Sequence, residues 1–70
     1  MKRDLTKSEK LTLESLVDTA SLQGVLMALS EICGEKAEHI ETNWQDKWTA
    51  RQWRTAEGAI GCTVPKVPQL

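Results

Sequence analysis

The sequence predicts an all-α fold, in which a short N-terminal helix precedes an antiparallel hairpin of two longer helices. Apolar residues recur at helical spacing in three successive segments, and no segment alternates apolar and polar residues as a half-buried strand does. The 70 residues amount to one domain, residues 1–70. A chain of this length buries only about 60% of its unfolded surface, so we expect marginal stability as a monomer.

The first helix is predicted to begin after Thr6. Thr6 and Glu9 have the spacing of a capping box, in which the hydroxyl and the carboxylate each bond the backbone N–H of the other residue. Residues 1–5 are expected to fray. Apolar positions then recur at helical spacing, at Leu13, Leu16, Val17 and Ala20.

The second helix is predicted near residues 21–43, with Ser21 as its N-cap. Its apolar residues fall within an arc of about 140°. They are Leu22, Val25, Leu26, Leu29, Ile32, Cys33, Ala37 and Ile40. Gly34 costs about 1 kcal/mol relative to alanine in a helix interior. The apolar arc keeps its phase across Gly34, which favours one continuous helix.

The third helix is predicted from about Trp44 to Ile60, capped by Thr42 with Gln45 or by Asn43 with Asp46. Its inner face is expected to carry polar or small residues along the middle and larger ones at the edges. The middle would consist of Gln45, Thr49, Gln52 and Ala56, with Trp48 and Ala59 on one flank and Trp53 and Ile60 on the other. Gly58 and Gly61 are expected to end this helix, and residues 62–70, with two prolines, to be extended.

Two helices do not enclose a core of their own, so the sequence also predicts a homodimer that resembles a four-helix bundle. Small domains usually need an additional source of stability, such as disulfides, a bound metal or a second copy of themselves. Cys33 and Cys62 do not form a disulfide framework or a metal motif, and both are expected to be reduced and buried. No catalytic residues or cofactor site are predicted, because the single histidine has no nucleophile nearby in the sequence.

The formal net charge of −1 does not favour nucleic acid or an acidic membrane as a partner. The charged N-terminus has no apolar run after it, so we expect no signal peptide and a cytoplasmic protein. The longest apolar stretch is far shorter than the roughly 20 residues of a membrane helix.

The three tryptophans lie within ten residues of one another, although the chain has no phenylalanine or tyrosine. This clustering and the turn before it predict a site for a protein partner. The candidate partner-binding residues are His39, Asn43, Trp44, Asp46, Trp48, Arg51 and Trp53.

Two other sites are open alternatives. Lys47, Arg51 and Arg54 lie on one face of the third helix and, with nearby tryptophans and Lys2 and Arg3, indicate contact with nucleic acid. A cluster of possible ligands indicates a metal site completed by a dimer, although Lys36 stands where a Glu-x-x-His motif needs glutamate. The cluster consists of Glu35, Glu38, His39 and Glu41.

The run EICGEKAEHI at residues 31–40, followed by NWQD at residues 43–46, resembles a family of short, uncharacterised reading frames of bacteria and their phages. The resemblance covers residues 16–53 and leaves out the tail after Ile60. It implies a bacterial or phage origin and implies no activity. The small size, the lack of catalytic chemistry, the two charge-segregated helices and the tryptophan-edged surface predict a small helical interaction module, an adaptor or an inhibitor. A phage protein that occludes a host complex is one version.

Overall fold

The computed structural model describes residues 3–70. Met1 and Lys2, which belong to the terminus predicted to fray, lie outside the described residues. It contains three α-helices, α1 (Lys7–Ala20), α2 (Leu22–Asn43) and α3 (Lys47–Thr63), and then a 3-10 turn at Val64–Lys66. Residues 3–70 contain no strand, so the all-α class is confirmed.

The first two helices begin as the sequence predicts. The Thr6 hydroxyl accepts a hydrogen bond from the Glu9 N–H at 3.2 Å, and the Glu9 carboxylate accepts one from the Thr6 N–H at 2.8 Å. The Ser21 hydroxyl caps α2 by accepting from the Gly24 N–H at 2.9 Å. Between α1 and α2 the chain turns through 116°.

Helices α2 and α3 form the antiparallel hairpin. Residues earlier in α2 contact residues later in the chain. Lys36 lies near Trp53, Ser30 bonds Glu57, and Gln23 bonds Val64, which follows α3. Helix α2 runs unbroken through Gly34, which confirms its continuity.

The predicted bounds of α3 are wrong at both ends. Asp46, rather than Thr42 or Asn43, is its N-cap, so α3 begins three residues later than Trp44. Gly58 and Gly61 do not end it, because neither has a positive φ. The Val64 N–H still bonds the Ile60 carbonyl, and so residues 62–66 are helical or 3-10 rather than extended.

The predicted inner face of α3 is correct for four of its eight residues and wrong for the other four. Ala50 is buried and Trp53, Glu57 and Ile60 are half-buried, whereas Gln45, Trp48, Gln52 and Ala59 are exposed. Thr49 and Ala56 lie at the edge of the true inner face and are half-buried. The cause is close packing between backbones, which places small residues at the contact: Ala37 and Ala50 are 0% and 1% exposed.

The end of the chain returns to the start of α2. The Gln23 amide donates to the carbonyls of Val64 and Val67, at 3.2 and 3.3 Å, and the Leu22 N–H donates to the Leu70 carbonyl at 3.2 Å. Cys62 is exposed, contrary to the prediction, because it lies on the outer side of the last turn of α3; Cys33 is buried as predicted, and both thiols are free.

Candidate functional site

The turn between α2 and α3 forms one end of the molecule. Trp44 ends α2 with its N–H bonded to the Ile40 carbonyl at 2.9 Å. Gln45 follows with a φ of 54°, in the left-handed region that few residues other than glycine and asparagine occupy. This left-handed residue reverses the chain, and Asp46 starts α3 directly after it.

Asp46 holds the turn together. Its carboxylate accepts hydrogen bonds from the Thr49 N–H at 3.0 Å and from the Thr49 hydroxyl at 2.7 Å. The same two bonds keep the pKa of the Asp46 carboxyl below its ordinary value. Asp46 is therefore engaged in capping, although the sequence analysis placed it among the partner-binding residues.

Asn43 is likewise engaged within its own helix. Its side-chain amide donates to the His39 carbonyl at 3.0 Å and lies 3.0 Å from His39 Nδ1. This pairing orients the imidazole at the rim of an open depression of about 470 Å³ between α2 and α3. The depression is lined by Ile32, Glu35, Lys36, His39, Ile40 and Trp53.

The three tryptophans do not form one cluster. Trp53 is half-buried against α2, with the Lys36 ammonium 5.8 Å from the centre of its ring. Trp44 and Trp48 are 73% and 69% exposed at the turn. Arg51, one helical turn after Trp48, is exposed as well. We refer to Trp44, Lys47, Trp48 and Arg51 as the tip patch.

The three predicted basic residues do share a surface. Lys47, Arg51 and Arg54 line a shallow depression together with Glu41. Arg54 lies 3.6 Å from the Glu41 carboxylate, and both side chains are about half exposed, so this pair contributes little to stability. Of the three cationic side chains, Lys47 and Arg51 therefore face this depression without an ion pair to Glu41.

The residues proposed as metal ligands do not converge. Among residues 3–70, no group of three His, Cys, Asp or Glu side chains is placed to hold a metal ion. Glu31, Glu35 and Glu38 instead line an open groove beside Gly34 and Glu57. A site completed by a second copy stays a prediction.

A second surface, which was not predicted from the sequence, lies between α1 and α2. Leu13, Leu16 and Ala20 of α1 face Val25, Leu29 and Ile32 of α2 across an apolar cleft of about 240 Å³. An adjoining depression includes Leu5, Glu9 and Thr12. A signal was present in the sequence, because the apolar arc of α2 has large residues at one edge and Cys33 and Ala37 at the other.

Within the described part of the chain, no single helix is long and apolar enough to cross a membrane; α1 and α2 taken together reach that length and composition but are sharply bent. Comparisons of the chain with protein-family models, with curated proteins and with solved structures give no match. The resemblance of residues 16–53 to short bacterial and phage reading frames therefore stays a prediction.

Proposed function

We propose that this chain is a small helical protein–protein interaction module, an adaptor or an inhibitor, and that the tip patch contacts its partner. One version is a phage protein that occludes a host complex. The observation that carries the proposal is the exposure of two tryptophans at the turn, Trp44 at the end of α2 and Trp48 in the first turn of α3.

Tryptophan and arginine are the residues most enriched among those that dominate binding energy in protein interfaces. A tryptophan that becomes buried removes roughly 150–250 Å² from water, so two exposed indoles represent a large reserve of binding energy. Lys47 and Arg51, in the first two turns of α3, are exposed as well and favour an acidic surface on the partner. The Asp46–Thr49 bonds stabilise the turn that carries the patch, which lowers the cost of ordering it on binding.

Affinity capture from a bacterial lysate tests this proposal with matched variants. The wild-type chain and Leu11→Ala, which removes a 56% exposed leucine from α1, should recover the same protein. The double variant Trp44→Ala/Trp48→Ala should lose it, while its circular dichroism spectrum stays unchanged. Retention by the double variant, or no recovery by the wild-type chain, would contradict the proposal.

A second candidate is a small regulator that binds nucleic acid through Lys47, Arg51 and Arg54. It is favoured by the placement of all three around one depression, with the exposed Trp48 indole available for stacking. Of the two N-terminal residues first considered, Lys2 lies outside the described residues, and Arg3 binds Glu9 at 2.7 Å. Binding should weaken with salt and on Arg51→Ala. Mobility shifts that respond to neither would exclude it.

A further inference from the structure

Helix α2 has two apolar faces of different character. The face toward α3 carries small residues, among them the buried Cys33 and Ala37. The face toward α1 carries Val25, Leu29 and Ile32, of which the last two are 39% and 44% exposed. Among residues 3–70 the buried apolar residues are Cys33, Ala37 and Ala50, whereas a monomeric protein normally buries its large aliphatic side chains first.

The exposed face continues onto α1 and the segment before it. Leu16 is 54% exposed and Leu5 is 56% exposed. We refer to this continuous surface as the outer groove; its residues are Leu5, Leu13, Leu16, Val25, Leu29 and Ile32. The single ionisable group that lines it within residues 3–70 is Glu9, and the Arg3 guanidinium binds that carboxylate at 2.7 and 3.1 Å. The groove is therefore apolar and close to electrically neutral.

The molecule is flat and extended rather than spherical. It measures 37 × 28 × 15 Å, so it is much thinner than it is long or wide. The radius of gyration of 13.8 Å also exceeds the value of about 11 Å expected for a folded chain of this length. One chain is therefore less compact than a folded monomer of its length.

The accessible surface of the chain is also larger than that of a folded monomer of the same mass. The chain exposes 5826 Å², whereas a folded monomer of 7.8 kDa exposes about 4,400 Å². The excess, about 1,400 Å², is larger than the roughly 800 Å² that each partner contributes to an interface of standard size. It lies within the range of one subunit's share in an obligate homodimer, about 1,000–2,500 Å².

We propose that a second copy of this chain covers the outer groove, groove against groove around a two-fold axis. A two-fold interface uses the same patch on both subunits, so that patch must be complementary to itself. The neutral outer groove meets this condition, because its copy brings no net charge to repel it. Other copies of the chain are also present wherever the chain is made, at the concentration of the chain itself. The tip patch is not part of this interface, so the inference is independent of the proposed function.

Sedimentation of the full chain between 1 and 100 µM tests the inference. A reductant is included, because the exposed Cys62 thiols of two chains would otherwise be free to form a disulfide. We expect a dimer for the wild-type chain, and a monomer at the same concentrations for Leu29→Asp. The matched control is Leu11→Asp, which places the same charge on an exposed leucine outside the groove and should leave the dimer intact.

If Leu29→Asp does not fold, the milder variant Ile32→Ala tests the dimer interface in its place. It should weaken dimerisation by at least tenfold, and the melting temperature of the wild-type chain should rise with protein concentration, as mass action requires. The inference is overturned if the wild-type chain sediments as a monomer at tens of micromolar. It is also overturned if Leu11→Asp or Trp48→Ala breaks the dimer while Ile32→Ala does not.

Discussion

The carboxylate of Glu57 in α3 lies over Gly34 in α2, so closely that a Cβ added to Gly34 would stand 2.9 Å from Glu57 Cδ. Four residues earlier on α2, the Ser30 hydroxyl donates to the Glu57 carbonyl at 3.0 Å. Both contacts depend on a close approach of the two helices, and small residues in α2 permit it. Gly34 is therefore explained by packing rather than by a break in the helix.

This packing predicts different outcomes for two glycine substitutions in helix interiors. Gly58 has open space around an added Cβ, so Gly58→Ala should raise the free energy of unfolding by about 1 kcal/mol through helix propensity. Gly34→Ala should gain less than Gly58→Ala, because the flexible Glu57 carboxylate must first move away from α2. Urea unfolding of both variants measures the difference. An equal gain at both positions would contradict the close contact.

Ser21 is predicted to be strained. Its φ of 141° and ψ of 160° lie in a region that glycine occupies almost alone and that costs other residues about 1–3 kcal/mol. Ser21→Gly should stabilise the fold, since glycine loses only a few tenths of a kcal/mol as an N-cap. Ser21→Ala keeps the strain, loses the bond to the Gly24 N–H and should destabilise. Thermal melting that ranks alanine above glycine would show that this backbone conformation is wrong.

Asp46 is predicted to matter for stability through its capping bonds. Asp46→Ala should lower the free energy of unfolding by about 1 kcal/mol, the usual cost of losing an N-cap. Asp46→Asn is the control, because asparagine caps helices about as well as aspartate does. Denaturant titration of the three proteins measures the effect. Equal losses for alanine and asparagine would indicate that the carboxylate charge, rather than the cap, is what α3 requires.

The N-terminal end of α1 is predicted to weaken in acid. The Arg3 guanidinium and the Thr6 N–H and hydroxyl lower the pKa of the Glu9 carboxyl from 4.5 to about 2. A lowered folded-state pKa means that the stabilisation is complete above pH 4.5 and is lost as the pH falls toward about 2. The melting temperature of the wild-type chain should therefore fall over this window more steeply than that of Glu9→Gln.

The control for this pH effect is Glu14→Gln, which removes an exposed carboxylate from the same helix and leaves the Arg3–Glu9 pair in place. We expect it to keep the slope of the wild-type chain. Identical slopes for the wild-type chain and Glu9→Gln would show that the pair does not form in solution.

The tryptophans are predicted to divide into one structural residue and two that are dispensable for folding. Trp53 is half-buried between the hairpin helices, so Trp53→Ala should cost about 2 kcal/mol of stability. Trp48 is 69% exposed, and Trp48→Ala should change stability by no more than about 0.5 kcal/mol. Intrinsic fluorescence gives a second reading, because the loss of Trp53 should remove the most blue-shifted emission. A large loss of stability on Trp48→Ala would contradict this division.

From the sequence one can predict the helical class, the capping box at Thr6 and Glu9, the Ser21 cap and the continuity of α2 through Gly34. These features depend on contacts within a few residues, so side-chain type and spacing are enough to specify them. The same local reasoning misplaced the start of α3, because Thr42, Asn43 and Asp46 are all good caps. Only the left-handed backbone at Gln45 selects Asp46.

The choice of which helix faces meet could not be predicted from the sequence. The periodicity of α2 shows an apolar arc but does not show where a neighbour divides it into a small-residue face and an exposed large-residue face. That division depends on how closely two backbones approach, and it separated Trp53 from Trp44 and Trp48 and exposed the outer groove. Local spacing specifies a helix, whereas its partner is specified by shape complementarity between residues far apart in the chain.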